Sequence, residues 1–156
     1  MNWQPEAGSP ETQVMVASTG YGLATLAAAM EDDLFPAASC RILVLSNNAA
    51  NPETANPLDS IQGFDQLAKR FDAVFSYNDA VAPQHPSEWM PRAVDIPLWD
   101  RHFRRLWDLA DDDHLRLVVE SIHVRPAAAL CAILHDAEIE VYADGLMSYG
   151  PTRSAI

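Results

Sequence analysis

Polar residues able to handle hydroxyl groups recur at five places in this chain, each directly after a short apolar run. Ser18-Thr19-Gly20 follows QVMVA, Ser46-Asn47-Asn48 follows RILVL, and Asn78-Asp79 follows AVFSY. Glu120-Ser121, with His123 close behind, follows LRLVV, and Asp144-Gly145 comes just after Val141-Tyr142. Hydroxyls, amides and carboxylates recognise hydroxyl-rich ligands. A carboxylate of suitable pKa can also take the proton of an attacking hydroxyl. None of these clusters offers Lys or Arg. Asp144 is the candidate base, because Gly145 beside it lets a backbone or a substrate come close. An ordinary Asp-Gly turn competes with that role. Loops are polar in any case, and helix starts prefer Ser, Thr, Asn or Asp.

Other chemistries fit less well. Gly20-Tyr21-Gly22 supplies two glycines of the dinucleotide fingerprint, but the third position is Thr25. The ribose-binding acid expected some 20 residues on is replaced by Ser46 and Asn47. There is no Gly-Lys-Ser/Thr loop and no Gly-x-Ser-x-Gly elbow. His85-Pro86 lies in a proline-rich stretch and reads as loop rather than as a catalytic pair. His114 and His135 are expected at the surface. No two histidines stand at metal-ligand spacing with a carboxylate or thiol, so neither metal nor other cofactor is expected. Cys40 and Cys131 fit no metal spacing and read as unpaired thiols of a cytoplasmic protein. Ten basic against 22 acidic residues give a net charge of -12, which argues against a nucleic-acid partner. The one basic cluster, Arg101, His102, Arg104 and Arg105, shares a predicted helix with Asp100 and Asp108 and reads as a solvated face. No apolar run approaches the ~20 residues that span a bilayer. Met1–Glu11 carries no secretion signal.

These clusters need a frame that brings them together. At 156 residues the chain suits one domain, residues 13–156, after a flexible lead-in at 1–12. Gln13–Ser18 reads as a buried strand. A helix follows, with Leu23, Leu26, Ala27, Met30 and Leu34 on one face and Pro36 as its stop. Arg41–Ser46 is a continuous apolar run of the kind covered on both faces, so it belongs in the interior of a sheet. Beyond the loop Asn47–Pro57, Asp59 is expected to cap a helix whose face is Ile61, Phe64, Leu67, Ala68 and Phe71. Ala73–Tyr77 reads as the third strand and Asn78–Pro97 as a long irregular excursion. Asp95 then caps a helix with Pro97 in its first turn and Trp99, Phe103, Leu106 and Ala110 on its buried face. Leu115–Val119 is the fourth strand, Pro126 opens a helix running to Leu134, and Ile139–Tyr142 is the fifth strand. This alternation predicts an α/β, Rossmann-like open parallel sheet of about five strands, in the order 3-2-1-4-5, flanked by helices. Ligands of such sheets bind beyond the carboxyl ends of the strands. Ser18, Thr19, Gly20, Ser46, Asn47, Asn48, Glu120, Ser121 and Gly145 are therefore candidate substrate-binding residues around Asp144.

The same segments carry a resemblance. Val16-Ala17-Ser18-Thr19-x-Tyr21-Gly22, Leu43-x-Leu45-Ser46-Asn47-Asn48-Ala49, Val118-Val119-Glu120-Ser121 and the block from Val141 to Arg153 resemble bacterial polysialyltransferase-like proteins of the actinobacterial alpha-2,8 type. The likeness runs from about Gln13 to Arg153. It implies a GT-B glycosyltransferase of two Rossmann-like halves, with this chain as the N-terminal, acceptor-side half. Asp144 would then be the general base, with Ala143 where relatives often have an acid. An acceptor hydroxyl would displace CMP from CMP-sialic acid with inversion, without a metal. The His-Pro motif of relatives lies in the other half and handles the nucleotide phosphate, so His85-Pro86 does not take that part. The chain alone is expected to be inactive and to bind CMP-sialic acid poorly. Leu146, Met147 and Tyr149 are expected to form an exposed apolar patch, for the second domain or for a second copy in a homodimer. Membrane-surface association is left open. Two other readings stand beside this one: a stand-alone sugar- or nucleotide-binding module without turnover, and a truncated product with no ligand.

Overall fold

Apolar residues come in runs short enough for strands, and in the computed structural model five of those runs pair side by side. The structure describes residues 11–52 and 55–142. The strands are β1 (Glu11–Ala17), β2 (Cys40–Leu45), β3 (Ala73–Ser76), β4 (His114–Val119) and β5 (Glu138–Val141). All pairings are parallel and the order is β3-β2-β1-β4-β5, as the alternation of elements predicts. β2 lies inside the sheet between β1 and β3, in agreement with its unbroken apolar run.

Side chains alternate between the two faces of each strand. Val14, Val16, Ile42, Val44, Leu117 and Val119 point to one cluster, completed by Phe103, Trp107, Leu130 and Ile133. Met15, Ala17, Leu43 and Val118 point to the other, with Leu23, Leu26 and Met30. Each large side chain so buried contributes about 1.5–3 kcal/mol. The helices that cover the sheet are α1 (Gly20–Glu31), α2 (Phe64–Ala68), α3 (Tyr77–Val81), α4 (Ile96–Leu106) and α5 (Ala127–Ile133).

Several local expectations change. α1 ends at Glu31, and Asp33 turns the chain at a φ of 53°, so Leu34 leaves the helix and is 65% exposed. Asp59 does not cap α2. It lies within a 3₁₀ turn, Leu58–Ser60, and α2 starts only after Gly63, whose φ of 85° suits glycine. Ile61 is consequently exposed. The excursion after β3 is partly regular: it contains α3 and a 3₁₀ turn, Ala93–Asp95, leading into α4. Asp95 precedes α4 but makes no side-chain cap, because its carboxylate accepts from Arg92 Nε at 2.7 Å. On α4 Phe103 is buried, whereas Leu106 is exposed and Ala110 lies beyond the helix end.

The basic cluster is not a uniformly solvated face. Arg104 is buried, donating from Nε to Asp100 at 2.9 Å and from Nη1 to the Ala110 carbonyl at 3.0 Å, while Arg101 and Arg105 are exposed. At the amino end of the sheet Arg116 sits among Glu11, Glu138 and Glu140, at 2.6, 2.8 and 3.4 Å. Ligand atoms of Glu11, His114 and Glu138 come within 4.8 Å of one another there, but the guanidinium already supplies the positive charge. His114 is half-buried and opens β4, while His135 is exposed. No helix among the described residues is long and apolar enough to cross a membrane.

Candidate functional site

The carboxyl edge of the sheet is built from two hydrogen-bonded groups. The first joins neighbouring strands β1 and β4. Glu120, just after β4, is buried, and its carboxylate accepts from the backbone N–H of Ser18 at 2.8 Å and from Ser18 Oγ at 2.7 Å. Both bonds are charge-assisted, the stronger class of hydrogen bond. Thr19 caps α1, its Oγ1 accepting from Gly22 N at 2.8 Å. A side chain at Gly22 would run into Glu120 Oε1 and lie 3.0 Å from Glu120 Cδ, so glycine here makes room for the carboxylate. The carboxylate thus lies against the positive end of a 12-residue helix. In dinucleotide folds this place holds a pyrophosphate. Here a protein anion occupies it, and a phosphate would meet both its bulk and its charge. Tyr142, just after β5, joins the group: its hydroxyl donates to the Val16 carbonyl at 2.6 Å and lies 3.4 Å from Glu120 Oε1.

The second group joins the loops after β2 and β3. Asn47 and Asn78 clasp each other: Asn47 N–H donates to Asn78 Oδ1 at 2.8 Å, and Asn78 Nδ2 to the Asn47 carbonyl at 3.0 Å. Asn47 Oδ1 also accepts from Ala49 N at 3.1 Å, and Ser46 Oγ donates to Asn48 Oδ1 at 2.6 Å. His85 fastens this loop from the far side. The Ser87 backbone N–H points at His85 Nδ1 at 3.2 Å, and Nε2 meets the Ala49 carbonyl at 2.8 Å. A backbone N–H can only donate, so Nδ1 must be the acceptor and Nε2 carries the proton. His85 is therefore a staple between two loops, which gives physical content to its assignment as a loop residue.

Beside this second group opens a cavity of about 640 Å³. Asp59, Ser76, Asn78, Asp79, Gln84 and His85 give it polar walls, and Leu45, Leu58, Phe75 and Pro86 give it apolar ones. No Lys or Arg lines it among the described residues.

The candidate residues therefore fall into two sets. Ser18, Thr19 and Glu120 come together, with Gly20 exposed at the start of α1. Ser46, Asn47 and Asn48 come together on the other side, and Ser46 and Asn47 line the cavity. Ser121 stands apart, its Oγ accepting from His123 N at 3.2 Å. Asp144 and Gly145 lie outside the described residues, as do Leu146, Met147 and Tyr149. Five further residues shape the site: Gly22, Asn78, Asp79, His85 and Tyr142. Asn78 and Asp79 are among the strand-end polar groups read from the sequence, and the strand order places the end of β3 beside the end of β2. Gly22 had only its neighbour Gly20, a pattern that points to phosphate rather than to an internal carboxylate.

The thiols are remote from this chemistry. Burial pushes Cys131 up, and burial with the nearby Asp72 pushes Cys40 up, so neither is a poised nucleophile. Burial likewise raises the Tyr77 phenol.

Searches of curated proteins and of solved structures found no match. A family model described as Alpha-2,8-polysialyltransferase (POLYST) matches residues 13–155, which takes in nearly all of the sheet and both groups at its carboxyl edge. The chain belongs to the alpha-2,8-polysialyltransferase family.

Proposed function

We propose that this chain is the acceptor-side, N-terminal half of a GT-B glycosyltransferase that moves sialic acid from CMP-sialic acid to a sugar hydroxyl. At the coarser level the family makes it a sialyltransferase-like glycosyltransferase. The observation that carries the finer reading is the anchoring of Tyr142. Its hydroxyl is bonded to β1 at 2.6 Å, and Asp144 follows two residues later. The segment bearing the candidate base thus departs from a buried, fixed point at the carboxyl edge, where ligands of open parallel sheets bind.

In this mechanism Asp144 accepts the proton of the acceptor hydroxyl as its oxygen attacks the anomeric carbon. The bond from that carbon to the CMP phosphate oxygen breaks, CMP leaves with the electron pair, and the configuration inverts. The occupied N-terminus of α1 supports a donor phosphate held elsewhere, in a second domain. The chain alone should then bind CMP-sialic acid weakly.

The test is transfer by the full-length protein from CMP-sialic acid to a panel of sugar acceptors. CMP release should accompany a new glycosidic bond of inverted configuration by NMR. A product of retained configuration, or donor hydrolysis with no acceptor used, would refute the reading.

A further inference from the structure

We infer that Arg125 receives the carboxylate of a sialic-acid acceptor and so takes part in selecting it. This rests on the sugar-transfer reading and names a side chain that recognises the acceptor.

Charge gives the first argument. The chain carries a net charge of -12, so an anionic acceptor is repelled unless it meets a local cation. Most of the described Lys and Arg side chains start from other parts of the fold. Arg41 and Arg116 belong to β2 and β4, Lys69 and Arg70 precede β3, and Arg101, Arg104 and Arg105 ride on α4. Among the described residues, the connections that leave the carboxyl ends of the strands hold only Arg92 and Arg125. Arg92 is spent on Asp95, its Nε meeting that carboxylate at 2.7 Å. Arg125 has no carboxylate partner among the described residues.

Placement gives the second. Arg125 stands in the connection between β4 and α5. Its backbone carbonyl accepts from Asn48 Nδ2 at 3.5 Å, and its Nη1 donates to the Glu88 carbonyl at 2.9 Å. Asn48 follows β2, Glu88 lies in the excursion after β3, and β1 separates β2 from β4. The connection therefore reaches past the end of β1 and links the two sides of the site. The strand order reverses between β1 and β4, and open parallel sheets bind their ligands at such a reversal.

The state of the guanidinium gives the third. A neutral carbonyl holds the group in place without cancelling its charge, and the side chain is exposed. Most of its N–H donors stay open to a ligand. They form a planar fork that matches the two oxygens of a carboxylate. An alpha-2,8 bond has a sialic acid on its acceptor side, and that sugar carries such a carboxylate.

The experiment compares two acceptors with the full-length protein: the methyl glycoside of alpha-2,8-linked disialic acid, and its bis-carboxamide, which keeps the shape and loses the charge. At low ionic strength the carboxamide should have an acceptor KM roughly tenfold higher or more, as loss of a hydrogen bond to a charged group does. Added salt should narrow the gap. In Arg125→Gln the disialoside should do as poorly as the carboxamide, while KM for CMP-sialic acid changes only a few-fold. Arg125→Lys should recover part of the preference, because the charge returns without the fork. If Arg125 only ties its loop to Glu88, Arg125→Gln weakens both acceptors alike and leaves their ratio intact. That result overturns the inference. So does equal use of the two acceptors by the unaltered protein, a comparison that needs no variant to fold. Calorimetric titration of the unaltered protein and Arg125→Gln with the same two glycosides reads the contact without turnover. Transfer without a carboxylate preference would thus sink this inference alone, and absence of transfer with the preference kept in binding would sink the proposed function alone.

Discussion

Gly22→Ala should destabilise the protein, although the same change within a helix normally stabilises by about 0.5–1 kcal/mol. Gly22 is in the first turn of α1. An added Cβ would collide with Glu120 Oε1 and lie 3.0 Å from both Glu120 Cδ and Thr19 Oγ1, whereas ordinary contact begins at 3.4 Å. The carboxylate must then move away from bonds of 2.8 and 2.7 Å to Ser18. Hydrogen bonds to charged groups are worth about 1.5–3 kcal/mol each. Weakening both, less the helix gain, leaves a net loss of about 2 kcal/mol. For a domain of this size that lowers Tm by roughly 4–8 °C. Thermal and urea unfolding followed by circular dichroism would measure it. A double-mutant cycle separates the clash from other effects. With Glu120→Ala already in place the main obstacle is gone and only the 3.0 Å contact with Thr19 Oγ1 remains, so Gly22→Ala should cost far less than in the otherwise unaltered chain. A higher Tm for Gly22→Ala in the otherwise unaltered chain would refute the lock between Glu120 and α1.

Tyr77→Phe should be neutral or stabilising by about 1 kcal/mol, because the buried hydroxyl has no hydrogen-bond partner among the described residues and leaving such a group unmade is costly; urea unfolding at neutral pH checks it. Stability should be level at neutral pH and fall in alkali. Burial raises Cys131, Cys40 and Tyr77, so the folded state holds these protons more tightly than the unfolded chain. The loss therefore begins as pH passes the ordinary thiol value of 9.0, grows above the ordinary phenol value of 10.0, and should shrink in Tyr77→Phe. Nitrogen NMR should find neutral His85 as the Nε2–H tautomer; the Nδ1–H form would contradict the loop staple.

The strand order could be read from the sequence because runs such as RILVL and LRLVV alternate with helical periodicities, and right-handed crossovers leave few topologies. The edge that carries the site was legible for the same reason. What stayed hidden depends on contacts between distant residues. Ser18 and Glu120 are separated by 102 positions, and nothing local shows that they engage each other rather than a ligand. Asn47 and Asn78 are likewise 31 apart. Arg104 looks like its exposed neighbours until the chain folds the Ala110 carbonyl back onto it. The late start of α2 turns on one backbone angle, at Gly63, which periodicity does not register.

Asp144→Asn in the full-length enzyme tests the central claim most directly. Asn keeps the shape of Asp and loses its basicity, and Asn-Gly turns as readily as Asp-Gly. A general base contributes about 10²–10⁴-fold to the rate. Turnover of CMP-sialic acid at saturating acceptor should therefore fall by about that factor while KM changes only a few-fold, the pattern of an interaction made in the transition state. Turnover like that of the parent, at a pH where the parent is fully active, would contradict the account.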